Sequence, residues 1–204
     1  MMATMKIGHM VGEVCPFKFP YERKREMSTE KRCKGFTVVE LLATVGIAAI
    51  MVSLAVPSFQ NLIMNGRRTS HINSFVAAMA YAKSEAIKGG GPVSVCSKSA
   101  TEETCSGDTV WDSGWLIYVD YNINGIVDPE EEILKVRGVL EGNGTLRATS
   151  LGSISFLGSG FPQFAPNTDT SINYCDTRGI SESRVLRLSL TGRVTTDHPA
   201  TTCP

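Results

Sequence analysis

From Phe36 to Phe59 the chain runs for 24 residues with one ionisable side chain, Glu40. At about 1.5 Å of rise per residue, a helix over this run is roughly 36 Å long, enough to cross the hydrocarbon core of a bilayer. A stretch of this length and character leaves two readings open: a membrane-crossing helix, or a segment removed during export. Lys31, Arg32 and Lys34 stand directly before it. By the positive-inside rule they keep the N-terminus in the cytoplasm and send the body across the membrane.

The export reading takes Ser53-Leu54-Ala55 as the small-x-small cleavage site of a signal peptide. Two features oppose it. Apolar regions of signals run about 7–15 residues, and this one is longer. It also carries a carboxylate at its fifth position. A charge inside a membrane segment is costly, so it calls for a partner and a function.

Charge is divided along the chain. Lysine plus arginine (20) equals aspartate plus glutamate (20) overall. Residues 1–35 hold eight basic and four acidic side chains, net +4, which leaves twelve and sixteen, net −4, for residues 36–204. The body therefore has no broad basic field for nucleic acid, and any such binding must come from a local cluster. A hydrophobic content of 42% suffices for a core, and 204 residues give room for one domain plus an anchor.

Beyond the apolar run, Phe59, Leu62, Ile63, Ile72, Phe75, Val76, Met79, Ala80, Ala86 and Ile87 recur at helical spacing. Gly89-Gly90-Gly91-Pro92 is a strong stop. The pattern predicts one helix from about 36 to 88, with a bend at Pro57. Six short β-prone segments follow: 92–96, 115–119, 132–137, 153–157, 171–175 and 185–190, separated by Gly, Asn, Asp and Ser clusters. A long helix laid on an antiparallel sheet makes an α+β fold.

The junction Lys34-Gly35-Phe36-Thr37-Val38-Val39-Glu40-Leu41-Leu42 resembles the processing motif of type IV pilins and of type II secretion pseudopilins. The resemblance implies a pilin-like fold and cleavage between Gly35 and Phe36 by a prepilin peptidase, with methylation of the new N-terminus. It also implies that Glu40 serves assembly and that Pro57 is a helix-bending proline. Beside the resemblance, the physics agrees: cutting after Gly35 creates an ammonium on Phe36, and such an ammonium on a neighbouring subunit would neutralise Glu40 and fix axial register. The implied organisation is a basic leader over residues 1–35, a filament-core and transmembrane helix over 36–59, an amphipathic continuation over 60–91 and a β-rich periplasmic domain over 92–204. Leaders of this kind are short, so Met27 is the expected start and residues 1–26 an over-extension of it.

The body narrows the resemblance. Cys96 beside a strand, Asp112-Ser113-Gly114-Trp115-Leu116-Ile117-Tyr118-Val119-Asp120, and Leu188-Ser189-Leu190-Thr191-Gly192-Arg193 are similar to the FimT/GspH group of minor pseudopilins. That group implies a single-pass protein of the bacterial inner membrane with its body in the periplasm, incorporated into a pilus or a secretion pseudopilus. Within the filament it implies initiation or a place at the tip. Its partners would be other pilins or pseudopilins, the peptidase and the membrane. The pilus and secretion branches share a fold, and both stay open here. A DNA-binding role in uptake and a secreted binding module whose apolar run is a signal are the alternatives.

An enzyme is the weakest class. His71 and His198 are the histidines of the body, one on the helix and one in the tail, and no Ser/His/Asp or Cys/His set forms around them. The cysteines lack CxxC spacing, which argues against structural zinc. Removal of residues 1–35 takes away Cys15 and Cys33 and leaves Cys96, Cys105, Cys175 and Cys203. An even number outside the cytoplasm reads as two disulfides. Three pairings are open; the favoured one joins Cys96 to Cys105 around a polar loop and Cys175 to Cys203 at the tail.

Two ligand motifs remain. The resemblance to FimT-like proteins implies an arginine-bearing C-terminal segment for DNA. Arg193 matches it, the arginine expected two positions on is Thr195, and Arg187 is the substitute, with Arg184 a weaker one. Two or three cations would give weak, sequence-independent, salt-sensitive binding. The other motif is calcium: Asp120, Asn122, Asn124, Gly125, Ile126, Asp128 and Glu131 fit D-x-[DN]-x-[DN]-G-x5-E. Oxygens alternate, the glycine allows the turn, and Ile126 would offer its carbonyl. The flanks are strands rather than helices, so a plain hairpin with an Asn124-Gly125 turn is the competing reading.

Overall fold

The structure, a computed structural model, describes residues 35–165, 168–200 and 202–203. The expected leader, Met27, Lys31, Arg32, Lys34, Cys15 and Cys33 lie outside the described residues. The chain divides into two units, meeting between Ala55 and Val56.

One helix, α1, runs Val38–Gly89, 52 residues with Pro57 inside it. It begins at Thr37, whose Oγ1 accepts the backbone N–H of Glu40 at 3.2 Å while its carbonyl accepts that of Leu41 at 3.1 Å. A threonine N-cap followed three residues later by glutamate is the sequence signature of a capping box. In the first unit α1 is apolar and exposed, long enough to cross a membrane, with no part of the apolar window buried. Its few hydroxyls turn back on the helix: Thr44 donates to the Leu41 carbonyl and Ser53 to that of Ile50. Such bonds satisfy these two hydroxyls within the helix itself. The helix stops at Gly89, followed by Gly90 at φ 66°, a left-handed conformation that glycine adopts without penalty.

Among the described residues the second unit holds nine strands. They are β1 (Val93–Ser97), β2 (Trp115–Val119), β3 (Ile133–Arg137), β4 (Thr145–Ala148), β5 (Ser153–Phe156), β6 (Pro162–Gln163), β7 (Ser171–Cys175), β8 (Arg184–Leu188) and β9 (Val194–Asp197). They form two sheets, not one: β3-β2-β1-β5-β6 and β4-β7-β8-β9, with antiparallel neighbours throughout. The sequence pattern supplies six of the nine. It misses β4, a four-residue strand, β6, which contains a proline, and β9, which is mostly exposed. β4 does alternate, with Leu146 and Ala148 turned inward, but four residues give too short a run to stand out, and β6 and β9 bury too little apolar surface to show a pattern.

His71, Ile72, Phe75, Ala78, Met79, Ala82 and Ala86 are the buried residues of α1. The periodicity expected Ala80 and Ile87 in this stripe; both are exposed, and Ala78 and Ala82 take the inner positions. Alanines carry little hydropathic signal, yet they let a helix approach a sheet closely. Phe75 anchors the contact, meeting Trp111 and Trp115 edge to face with ring centroids 5.5 and 5.4 Å away. Trp111 donates its indole N–H to the Leu151 carbonyl at 2.9 Å, which satisfies its polar atom inside the core.

Candidate functional site

Four places carry the residues singled out from the sequence. The first is the start of α1. Gly35 and Phe36 precede the helix as exposed chain, and Glu40 lies in its first turn, exposed like its apolar neighbours. An exposed carboxylate among exposed Val38, Val39, Leu41 and Leu42 has no internal reason to be there.

The second is the loop from β2 to β3. Asp120 is fully buried and accepts four hydrogen bonds. Its Oδ2 accepts from the Ser94 hydroxyl at 2.6 Å, the Gly125 N–H at 3.1 Å and the Tyr118 hydroxyl at 3.5 Å; its Oδ1 accepts from the Asn124 N–H at 3.1 Å. Ser94 in turn lies 2.6 Å from the Ser155 hydroxyl. Burial, and then the Asp120 charge, push the Tyr118 phenol above its ordinary value. Tyr118 therefore stays protonated and keeps a proton to donate.

The remaining oxygens of the calcium pattern are spent in the same way. Asn122 Oδ1 accepts the Asn124 N–H and Asn124 Oδ1 accepts the Ile126 N–H. Asp128 Oδ2 accepts from the side-chain amides of Asn122 and Asn124, and Glu131 accepts from the N–H groups of Tyr121 and Asp128. Among the described residues no three His, Cys, Asp or Glu side chains converge as a metal set. The alternating oxygens thus account for themselves as a chain of turn hydrogen bonds tying the loop to β1 and β2.

The third is the end of the second sheet. Arg187 projects outward from β8, and its Nε lies 3.5 Å from Asp197 across on β9. Arg193 is exposed at the β8–β9 turn, where its N–H bonds the Ser189 hydroxyl. Cross-strand pairing with Asp197 offsets one of the two cations that the DNA reading needs.

The fourth is the cysteine set. Cys96 is joined to Cys105, with Cα atoms 5.6 Å apart, and Cys175 to Cys203, with Cα atoms 5.8 Å apart. Cys96 packs with Leu116 and Tyr118 in a small cluster outside the main core. The first bridge therefore helps hold the strands that carry Asp120.

One arrangement escaped the sequence reading. Arg68 of α1 donates to the Glu182 carboxylate and to its carbonyl, both at 2.7 Å. Arg178 forks onto Asp176 and reaches Asn65 on α1 at 2.8 Å. Burial works to raise the Asp176 carboxyl, but hydrogen bonds from Arg178 and the charges of Arg178 and Arg68 outweigh it and hold it below the ordinary carboxylate range. Pairs more than a hundred residues apart leave no local signature in sequence.

The family model of the type II transport protein GspH matches residues 71–192, more than half of the chain. The chain belongs to the GspH family. No curated protein matches this GspH-family chain by sequence. Two crystal forms of the type IV minor pilin FimU of Pseudomonas aeruginosa PAO1 share its fold, at 20% identity and TM-scores of 0.50 and 0.51. Each alignment covers 67% of this chain, and 99% and 94% of the respective FimU chains. The matched family region takes in Asp120, the β2–β3 loop and Arg187, and stops short of Arg193.

Proposed function

We propose that this GspH-family chain is a minor pilin or pseudopilin subunit, built into a type IV pilus or a type II secretion pseudopilus and acting at its initiation or its tip. A prepilin peptidase cuts between Gly35 and Phe36, and Phe36 is methylated. The apolar half of α1 anchors the chain in the inner membrane, with the body in the periplasm, until it enters the filament. There Glu40 pairs with the Phe36 ammonium of a neighbouring subunit.

The observation that carries this reading is the exposed apolar start of α1, with Glu40 as its single ionisable group, on a GspH-family chain. A helix this apolar and this exposed needs a lipid or protein surround, and a carboxylate within it needs a cationic partner. Mass spectrometry of the mature protein tests the processing step: N-methylated Phe36 supports the filament subunit. A mature N-terminus at Val56 would make the apolar run a signal peptide and defeat the proposal. Glu40→Ala should then leave a processed, membrane-bound protein that is absent from sheared filaments.

A further inference from the structure

The body as a whole is acidic, yet guanidinium groups gather beside one segment of α1. Arg67 and Arg68 lie on the helix, and Arg178 and Arg184 come from the chain between β7 and the start of β8. Arg184 stands opposite Tyr174 in the β7–β8 register, so both point to the sheet face on which Tyr174 meets His71 of α1. The group is close enough for its members to sense one another. Burial, and then the charges of Arg68 and Arg178, lower the Arg184 guanidinium from its ordinary value, and Tyr174 feels Arg178, Arg68 and Arg67.

The carboxylates here are fewer than the cations. Asp176 is taken by Arg178, and Glu182 by Arg68, with Arg178 further off at 3.8 Å. Among the described residues no carboxylate forms an ion pair with Arg67 or Arg184; Glu141 shares a small hollow with Arg67. Arg184 spends hydrogen bonds on the carbonyls of Glu182 and Ser183, and Arg67 is exposed. Positive charge is therefore left in excess at one spot of an acidic body.

The place of that spot along α1 selects its partner. Phe59, Leu62 and Ile63 are exposed apolar residues, the last such group on the helix before Arg67. From Phe59 to Arg67 is about 12 Å along a helix axis, and a headgroup layer is about 5–8 Å deep; helix side chains lean toward the N-terminus, so the arginine stem carries its fork back to that layer. Arginine at that depth keeps its stem on apolar surface and offers its fork to phosphate.

We propose that Arg67 and Arg184, backed by Arg68 and Arg178, form a docking surface for the phosphodiester headgroups of anionic phospholipids. The surface rests on the reading that α1 anchors in a bilayer. It would hold the subunit against the membrane before assembly, and compete with filament entry.

The full chain, reconstituted into vesicles of phosphatidylcholine and phosphatidylglycerol in equal amounts and then extracted, should retain phosphatidylglycerol in roughly tenfold preference by native mass spectrometry. Arg67→Gln/Arg184→Gln should bring that ratio near unity, while Arg67→Lys/Arg184→Lys, which keeps the charge, should retain most of it. Matching melting curves for the three proteins would show that the fold is intact. Soluble glycerol phosphate should not displace the lipid, since the apolar stretch beside the arginines favours an anchored headgroup; displacement would overturn the lipid as source. Flotation with no headgroup preference overturns this proposal alone. Failure to float on phosphatidylcholine overturns the anchor reading and this one with it. If the Gln pair loses duplex-DNA retention at low salt with an unchanged lipid ratio, the surface belongs to nucleic acid.

Discussion

Thr37 and Glu40 are three residues apart, and that spacing gives Glu40 a second task beside its charge. Its backbone N–H closes the helix cap on Thr37, whatever the side chain does. Charge and cap can therefore be separated. Glu40→Gln keeps the backbone donor and a side chain suited to this position, so α1 should start unchanged while filament incorporation falls as it does in Glu40→Ala. Thr37→Val should do the reverse: it removes the cap, costs the helix start about 1 kcal/mol and leaves the carboxylate in place. Quantifying both variants in sheared filaments and in membranes decides which task matters for assembly. Incorporation of Glu40→Gln at the native level would sink the charge-pairing account. A different residue, His71, contributes to the pH response just below neutrality. It is buried against Tyr174, and burial, reinforced by Arg137, lowers its imidazole below the ordinary value near 6.5. The folded body thus favours neutral histidine, and the unfolded chain takes up the proton first. The stability this provides is complete above pH 6.5 and is lost as the pH falls toward the folded-state value. Melting curves at pH 7.5 and 5.5 should show a drop that shrinks in His71→Gln, after allowance for that variant's own packing loss; an unchanged drop would assign the acid sensitivity to other groups.

At the scale of elements, the long helix and the longer strands were legible because their signals are local. The extent of α1 follows from the apolar run, the helical spacing beyond it and the glycine stop, and β2 and β7 from apolar, β-prone runs between turn residues. The β2–β3 loop shows a local signal that serves two readings. Alternating Asp and Asn oxygens suit a cation, but they suit Asx-type turns equally well, and only the fold reveals Ser94 and Tyr118 waiting beneath Asp120. Asp120→Ala would strip four hydrogen bonds from a buried site; Asn124 and Ser94 keep second acceptors in Asn122 and Ser155, while the Gly125 N–H and the Tyr118 hydroxyl lose theirs. We expect a loss of about 3 kcal/mol, measured by denaturant unfolding with a chelator present so that no cation can take part. A loss that appears only when calcium is supplied would restore the metal reading. The same loop contains Ile123 at φ 56°, a left-handed conformation that a β-branched side chain adopts at a cost of about 1–2 kcal/mol. Ile123→Asn should therefore raise the melting temperature, because asparagine tolerates this region and the position is only half-buried. A fall on that substitution would mean that the Ile123 side chain contributes packing worth more than the strain.

For the whole molecule, family membership was legible from short motifs at the two ends of the sequence, whereas the ties that hold the body together were not. The Arg68–Glu182 and Arg178–Asn65 contacts join residues 114 and 113 positions apart, and both depend on how β7 and β8 return beneath α1. The cysteines fall between these cases: their number pointed to two bridges, but spacing left three pairings open until the fold placed the partners. The two bridges differ in what they close. Cys96 and Cys105 are 9 residues apart, Cys175 and Cys203 are 28 apart. By loop-closure entropy the longer tie contributes about 3.5 kcal/mol and the shorter about 2.5 kcal/mol. The longer one also secures the C-terminal segment, where the buried Ala200 donates its N–H to the Ser183 hydroxyl at 2.7 Å, and Ser183 itself is fully buried. Cys175→Ser/Cys203→Ser should therefore lower stability by more than Cys96→Ser/Cys105→Ser. It should also accelerate amide hydrogen exchange at Ala200, while the other pair should loosen the Ser97–Cys105 loop and leave Ala200 protected. If Ala200 exchanges at the native rate without the Cys175–Cys203 bridge, its bond to Ser183 holds the segment unaided, and the bridge acts only on the unfolded chain.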